Sequence, residues 1–214
     1  MTSPLVSVIT PTWQRHDWLL NRCMPSVRAQ TYPNMEHVIV SDGPDDELDG
    51  LLWEQAHARK ITDPRLTWGF LDEHDTGKHW GIPARLRALE IAQGDLIAYL
   101  DDDDEYDPRH VELLAAALAA EPDVMWVYSQ MNSHLEDGNT NVIGSTMPGP
   151  CNIGTPMIMH RRELLEVASW GGADALEDWN LVERWEAAEA PRRFVPEVTV
   201  QVWPSLYHAG EASG

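Results

Sequence analysis

The sequence predicts an α/β fold with a mostly parallel central sheet and helices on both faces. Short apolar, β-branched runs alternate with helix-length segments along the first two-thirds of the chain. Turn-forming residues close those runs, as at Asp42-Gly43-Pro44. Polar residues gather just where the runs end, at Thr10-Pro11, at Asp42 and at Asp101 to Asp104. Open α/β sheets take their ligands beyond the carboxyl ends of the strands.

Each element has its own signal. Leu5 to Thr10 reads as a buried strand ended by Pro11-Thr12. Asp17 to Gln30 carries Trp18, Leu19, Cys23 and Val27 at helical spacing, with Pro25 as a kink or restart. Glu36 to Val40 is a second strand, Glu47 to Lys60 a helix and Leu66 to Leu71 a third strand. Pro83 to Ala92 is a helix with proline in its first turn and Gly94 just past its end. Asp95 to Leu100 is a fourth strand, Pro108 to Ala120 a helix and Val124 to Gln130 a further strand. The stretch 136–156, rich in Gly, Pro, Asn and Thr, suits loops or short antiparallel strands. Pro156 to His160 returns to the sheet, 161–170 and 178–190 are helical, and Val195 to Trp203 is a closing strand.

Composition narrows the function. At 214 residues the chain fits one domain, taken as 1–214, and 43% hydrophobic content with ten tryptophans supports a full core. A formal charge of −20, without a Lys/Arg cluster, argues against nucleic acid as a partner. An acidic chain that handles phosphates needs a metal or a local basic pocket. Cys23 and Cys151 form neither a disulfide framework nor a zinc spacing, so a reducing cytoplasm is expected. No leader is expected from Met1 to Pro4, and no stretch reaches the ~18 apolar residues of a membrane span.

The acidic run Asp101-Asp102-Asp103-Asp104-Glu105 follows the fourth strand. Most charge runs are solvated loops. Acids at the end of a buried strand repel one another, and a hard divalent cation relieves that by bridging carboxylates to a nucleotide diphosphate. Its place in line with Thr10 and Asp42 favours the metal reading.

The motifs, in order, are Val6-Ser7-Val8-Ile9-Thr10-Pro11-Thr12, Val38-Ile39-Val40-Ser41-Asp42-Gly43, Ala84-Arg85-Leu86, Tyr99-Leu100-Asp101-Asp102-Asp103-Asp104, and Leu176-Glu177-Asp178-Trp179. In this order and spacing the chain resembles the family 2 glycosyltransferases of the GT-A fold, most strongly over 5–120. The resemblance implies a nucleotide-sugar-binding part, 1–130, and an acceptor-binding, base-bearing part, 131–214. It implies that Thr10, Pro11, Thr12 and Asp42 lie on the nucleoside, with Asp42 accepting from the base. It gives the Asp-x-Asp motif as Asp101 and Asp103, with Asp103 in direct contact with Mn²⁺ or Mg²⁺. Asp101 or Asp102 then binds the ribose or reaches the metal through water, and Asp104 supports the loop. His208 is a further candidate ligand, and Lys78, His79 and Arg85 are candidates for the diphosphate. Asp178 is the implied general base, with Glu177 as its understudy. Two departures stand out: Leu86 replaces the family's Asn, and Ser41 replaces an Asp.

The implied activity is inverting, metal-dependent hexosyl transfer from a nucleoside diphosphate, UDP first, to a hydroxyl on a small molecule, glycan or lipid-linked glycan. Monomer and homodimer both stay open. Trp179 is a candidate acceptor platform, while Trp185 suits the core, and 136–154 is a candidate lid. A haloacid-dehalogenase-like phosphatase is the enzymatic rival, but its acids follow the first strand. A nucleotidyltransferase would need a Gly-rich phosphate loop after that strand. The non-enzyme rival is a fold that only binds a nucleotide-sugar, against which Asp178 argues.

Overall fold

The computed structural model describes residues 3–57, 65–77, 79, 81–171 and 177–204. The first strand, β1 (Val6–Thr12), is buried at all seven positions, as befits a strand with parallel neighbours on both sides. Its polar residues are each matched to a partner. The Ser7 hydroxyl donates to Glu36 Oε1 at 2.6 Å and accepts the Gly94 N–H at 2.8 Å. A Cβ at Gly94 would lie 2.5 Å from Ser7 Oγ, so this close approach requires glycine.

The segment after β1 is helical in three pieces: α1 (His16–Trp18), a π-helical turn Leu19–Cys23 and α2 (Met24–Arg28). The wider turn is where the proline effect appears. Met24 N–H reaches back five residues to the Leu19 carbonyl, and Pro25, which has no N–H, sits in the first turn of α2. Next come β2 (Met35–Ser41), α3 (Asp46–His57) and β3 (Arg65–Phe70). Asp45 Oδ1 accepts the Leu48 N–H at 2.9 Å, an N-cap that starts α3. The expected last turn of that helix, 58–60, lies outside the described residues.

Helix α4 (Ile82–Ile91) starts at Gly81, whose φ of +77° is open to glycine. Then β4 (Leu96–Tyr99) and the two-residue β5 (Glu105–Tyr106) bracket the acidic turn. Beyond lie α5 (His110–Ala120), β6 (Trp126–His134), β7 (Thr140–Ile143), β8 (Ile158–Arg161), α6 (Glu177–Ala187) and β9 (Arg192–Val202).

All the described strands join one mixed sheet in the order β3-β2-β1-β4-β8-β6-β9-β5, with β7 on β6. The first four are parallel, as expected. The remainder is not. Strand β8 enters between β4 and β6, antiparallel to both, so β6 is not the next parallel strand of the series. β6 and β9 are parallel, and β5 pairs antiparallel with β9. The sheet is therefore mixed, with six of the nine described strands running one way and β5, β7 and β8 opposed. The expected helix at 161–170 is only a 3₁₀ turn at Arg162–Glu166.

Winding runs from β1 to β3 in one direction and returns to β4 in the other. Right-handed crossovers then put α1–α3 and α4 on opposite faces. The alternation of β1 agrees: Thr10 meets Cys23 beside α2, while Pro11 lies against Gly81 at the start of α4. The core is continuous across the sheet, from Val8 and Ile39 to Trp126 and Trp185, all fully buried.

Candidate active site

The chain reverses sharply between β4 and β5. The Asp104 N–H donates to the Asp101 carbonyl at 3.2 Å, closing a turn of four aspartates. β4 is held by β1, and β5 by β9 through Glu105 opposite Gln201. The acids are thus fixed at both ends by strands.

Each aspartate has a separate environment. Asp101 is the most open, with a side chain 31% exposed, and its Oδ1 accepts from Arg85 Nη2 at 2.7 Å. Asp102 is buried. One oxygen accepts from the Thr12 hydroxyl at 2.7 Å and the other from Arg15 Nη1 at 3.0 Å. Asp103 keeps a narrow exposed edge, takes the same Arg15 Nη1 at 2.9 Å, and its backbone carbonyl accepts from Arg22 at 2.7 Å. Asp104 is buried and accepts the Trp203 N–H at 3.2 Å.

Burial and mutual repulsion raise three of these carboxyls. Burial pushes Asp102 to about 7, against the pull of Arg15. Asp103 is raised by burial and by Asp101, and Asp104 well above its ordinary range by burial and by Asp103. The turn is short of positive charge even with Arg15 beside it.

The second acidic centre is the start of α6. Burial lifts Glu177 to about 7, helped by Asp178 and opposed by Arg85. Asp178 is also raised, chiefly by burial, while Arg85 and the Thr155 hydroxyl, which donates to Asp178 Oδ1, pull it down. Arg85 ties the two centres together. It is 3% exposed, touches Asp101 at 2.7 Å and Glu177 at 3.9 Å, and lies 4.9 Å from the centroid of the Trp170 ring.

Asp42, at the end of β2, forms the third corner. Its carboxylate accepts the Asp75 N–H at 3.2 Å and meets His74 Nδ1 at 3.2 Å. Trp13 stacks on His74, ring centroids 4.3 Å apart and planes 5° apart. Burial raises the Asp42 carboxyl.

Several sequence expectations change here. The Thr10 side chain is not at the crevice. It is fully buried, and its hydroxyl shares a 2.9 Å hydrogen bond with His37 Nε2, because even positions of β1 face the interior beside α2. Burial lowers His37 to about 3, so the ring stays neutral. Asp102 has its two oxygens on Thr12 and Arg15. Arg85 is buried and paired with Asp101. Thr12 supports Asp102, and Pro11 packs on Gly81. His79 shares a 2.6 Å contact with Asp75. Lys78 and His208 lie outside the described residues. Trp179 is partly buried at the core edge, and Trp185 is fully buried as expected.

Arg15, Arg22 and Thr155 were not legible as site residues. No signal in the sequence marked Arg15 or Arg22, since Arg15 precedes the expected helix at 17–30. Nothing in the sequence paired Thr155 with Asp178.

The family model for glycosyl transferase family 2 matches residues 7–166. The chain belongs to glycosyltransferase family 2. Among its relatives in this family is WcaA of Escherichia coli, named for a role in colanic acid biosynthesis, 34% identical over 116 residues, 53% of this chain and 38% of WcaA. A glucosyl-dolichyl phosphate glucuronosyltransferase of Haloferax volcanii is 30% identical over 126 residues, 57% of this chain and 36% of that protein. The chain thus spans under two-fifths of the length of these relatives. The crystal structure of S. aureus TarS 1-349 overlays with a TM-score of 0.71 at 17% identity, covering 92% of this chain and 60% of that one. The mannosyltransferase PcManGT of Pyrobaculum calidifontis, in complex with GDP-Man and Mn²⁺, overlays at 0.67 and 20% identity, covering 98% and 59%. These likenesses show the GT-A glycosyltransferase fold.

The acids fit a divalent cation by the chemistry of their donor set. Asp101, partly exposed, and Asp103, largely buried, offer hard oxygens on a turn with excess negative charge. Among the described residues no three His, Cys, Asp or Glu side chains form a cage. Such a site would hold the ion by one or two carboxylates, with substrate phosphate oxygens completing its shell.

Proposed function

We propose that this chain carries the donor site and the base of an inverting glycosyltransferase that uses a nucleoside diphosphate sugar and a divalent cation. The observation that carries the reading is the convergence of the strand-end acids and the start of α6, joined through the buried Arg85. The cation, Mn²⁺ or Mg²⁺ held by Asp103 and Asp101, would supply Lewis-acid stabilisation of the leaving diphosphate.

Asp42 and the stacked Trp13 and His74 border the place of the nucleobase. Asp178 takes the proton of the acceptor hydroxyl. The hydroxyl oxygen then bonds to the anomeric carbon as its bond to the diphosphate breaks, inverting that centre. A carboxyl raised above its ordinary range is a better proton acceptor than an ordinary one, and general-base help is typically worth ~10²–10⁴-fold. Thr155 holds Asp178 in place, and Glu177, facing Arg85, is the reserve base. UDP is the first candidate nucleotide, and the TarS structures in complex with UDP and with UDP-GlcNAc support it, while PcManGT holds GDP-Man. The acceptor is a hydroxyl on a small molecule, a glycan or a lipid-linked glycan.

Calorimetry of UDP with Mn²⁺ tests this reading. Binding is expected for the native chain and absent in Asp103→Ala. If no nucleoside diphosphate binds with or without Mn²⁺, the donor-site reading fails. If the donor binds but no nucleotide-sugar is turned over with any hydroxyl acceptor, the chain is a binding unit and the transferase reading fails.

A further inference from the structure

Arg15 occupies an unusual place for a surface arginine. One guanidinium nitrogen, Nη1, lies 3.0 Å from Asp102 and 2.9 Å from Asp103, bridging two carboxylates of the acidic turn. A hard cation seeks the same Asp103 oxygens. Two positive groups cannot share them closely, so one must give way.

There is room for the guanidinium to leave. Arg15 lines a cleft of about 650 Å³ between the segment after β1 and helix α3. Asp17 and Glu47 stand in that cleft, and the Glu47 side chain is 79% exposed. They offer the arginine anionic seats away from the turn. The Arg15 side chain is itself 24% exposed, so the move needs no opening of the core. Arg22 differs. It donates to the Asp103 backbone carbonyl, not to a carboxylate, and its guanidinium lies 4.9 Å from the centroid of the Trp203 ring.

We propose that Arg15 is an exchangeable counter-cation of the acidic turn: it neutralises Asp102 and Asp103 in the cation-free protein and withdraws into the neighbouring cleft when a divalent cation takes Asp103. The inference rests on the metal reading of the turn given above. Arg15 is a positioning residue that sets cation affinity, and it protects a repelling set of buried acids until donor and ion arrive together.

The test is titration of Mn²⁺ into protein saturated with UDP, with free Mn²⁺ read by electron paramagnetic resonance. Removing the competitor in Arg15→Gln is expected to tighten Mn²⁺ binding about tenfold, the worth of one charge-assisted hydrogen bond. Arg15→Lys, with a charge but no fork, should fall between. Arg22→Gln should change affinity by less than about threefold, since it loses a hydrogen bond to the Asp103 backbone carbonyl and no contact with a carboxylate oxygen. Cation-free Arg15→Gln should melt below the native chain and recover with Mn²⁺. Exchange is refuted if Arg15→Gln binds Mn²⁺ no tighter than native, or if Arg22→Gln tightens binding equally. Native binding that is lost in Asp103→Ala but unchanged in Arg15→Gln overturns the exchange alone. No Mn²⁺ binding in any variant overturns the metal reading with it.

Discussion

Replacing Arg85 by Met tests how the two acidic centres are joined. The side chain is 3% exposed, and the substitution keeps an unbranched apolar stem while removing the guanidinium and its charge. Asp101 loses a 2.7 Å hydrogen bond, Glu177 loses a cation at 3.9 Å, and Trp170 loses a cation 4.9 Å from its ring centroid. Breaking a buried pair from one side costs ~3–5 kcal/mol. Asp101 is 31% exposed and can rehydrate, which places this case at the low end, about 3 kcal/mol. For a domain of this size that corresponds to a fall in Tm of about 6–12 °C. Function shifts too. Arg85 holds down both Glu177, at about 7, and Asp178, so its loss raises both carboxyls. A general base works when deprotonated, so the rising limb of the pH–rate profile should move to higher pH. Urea unfolding and a pH series of turnover measure the two effects, with Arg85→Lys expected to recover part of each. A destabilisation under ~1 kcal/mol, or a limb that stays put or moves to lower pH, refutes the coupling.

Four further outcomes follow from named residues. Asp178→Asn should keep UDP binding and lower turnover by ~10²–10⁴-fold, whereas Thr155→Val, which deletes a donor to Asp178, should move the rising limb to higher pH; loss of UDP binding in Asp178→Asn would exclude it as the base. Thr10→Val should cost about 1 kcal/mol through the lost His37 bond and leave UDP affinity unchanged, and a tenfold loss of affinity in calorimetry would return Thr10 to the donor site. Asp102, at about 7 when folded against ~3.9 unfolded, holds its proton more tightly in the native state. Its stabilising contribution is full below ~pH 4 and is lost as pH rises through about 7. Cation-free protein should therefore lose more stability between pH 5 and pH 8 than Asp102→Asn does, as read by urea unfolding, and equal slopes would contradict the assignment.

The sequence by itself determined the elements that depend on local chemistry. The apolar runs at 6–10, 36–40 and 96–99, the turn at Asp42-Gly43 and the proline-glycine bracketing of α4 are written in short-range pattern. Their order placed the acidic run and Asp42 at strand ends, and the Glu-Asp pair at the start of α6. Tertiary structure decided the rest, because it concerns partners far apart in the chain. Strand β8 enters beside β4 from sixty residues downstream, a choice no local period encodes. Thr10 and Thr12 share one face of β1, yet one bonds a buried histidine and the other a carboxylate ninety residues away. The four aspartates are alike in sequence. They become distinct when Arg85 takes Asp101, Arg15 takes both Asp102 and Asp103, and the Trp203 amide takes Asp104, leaving Asp101 the most exposed.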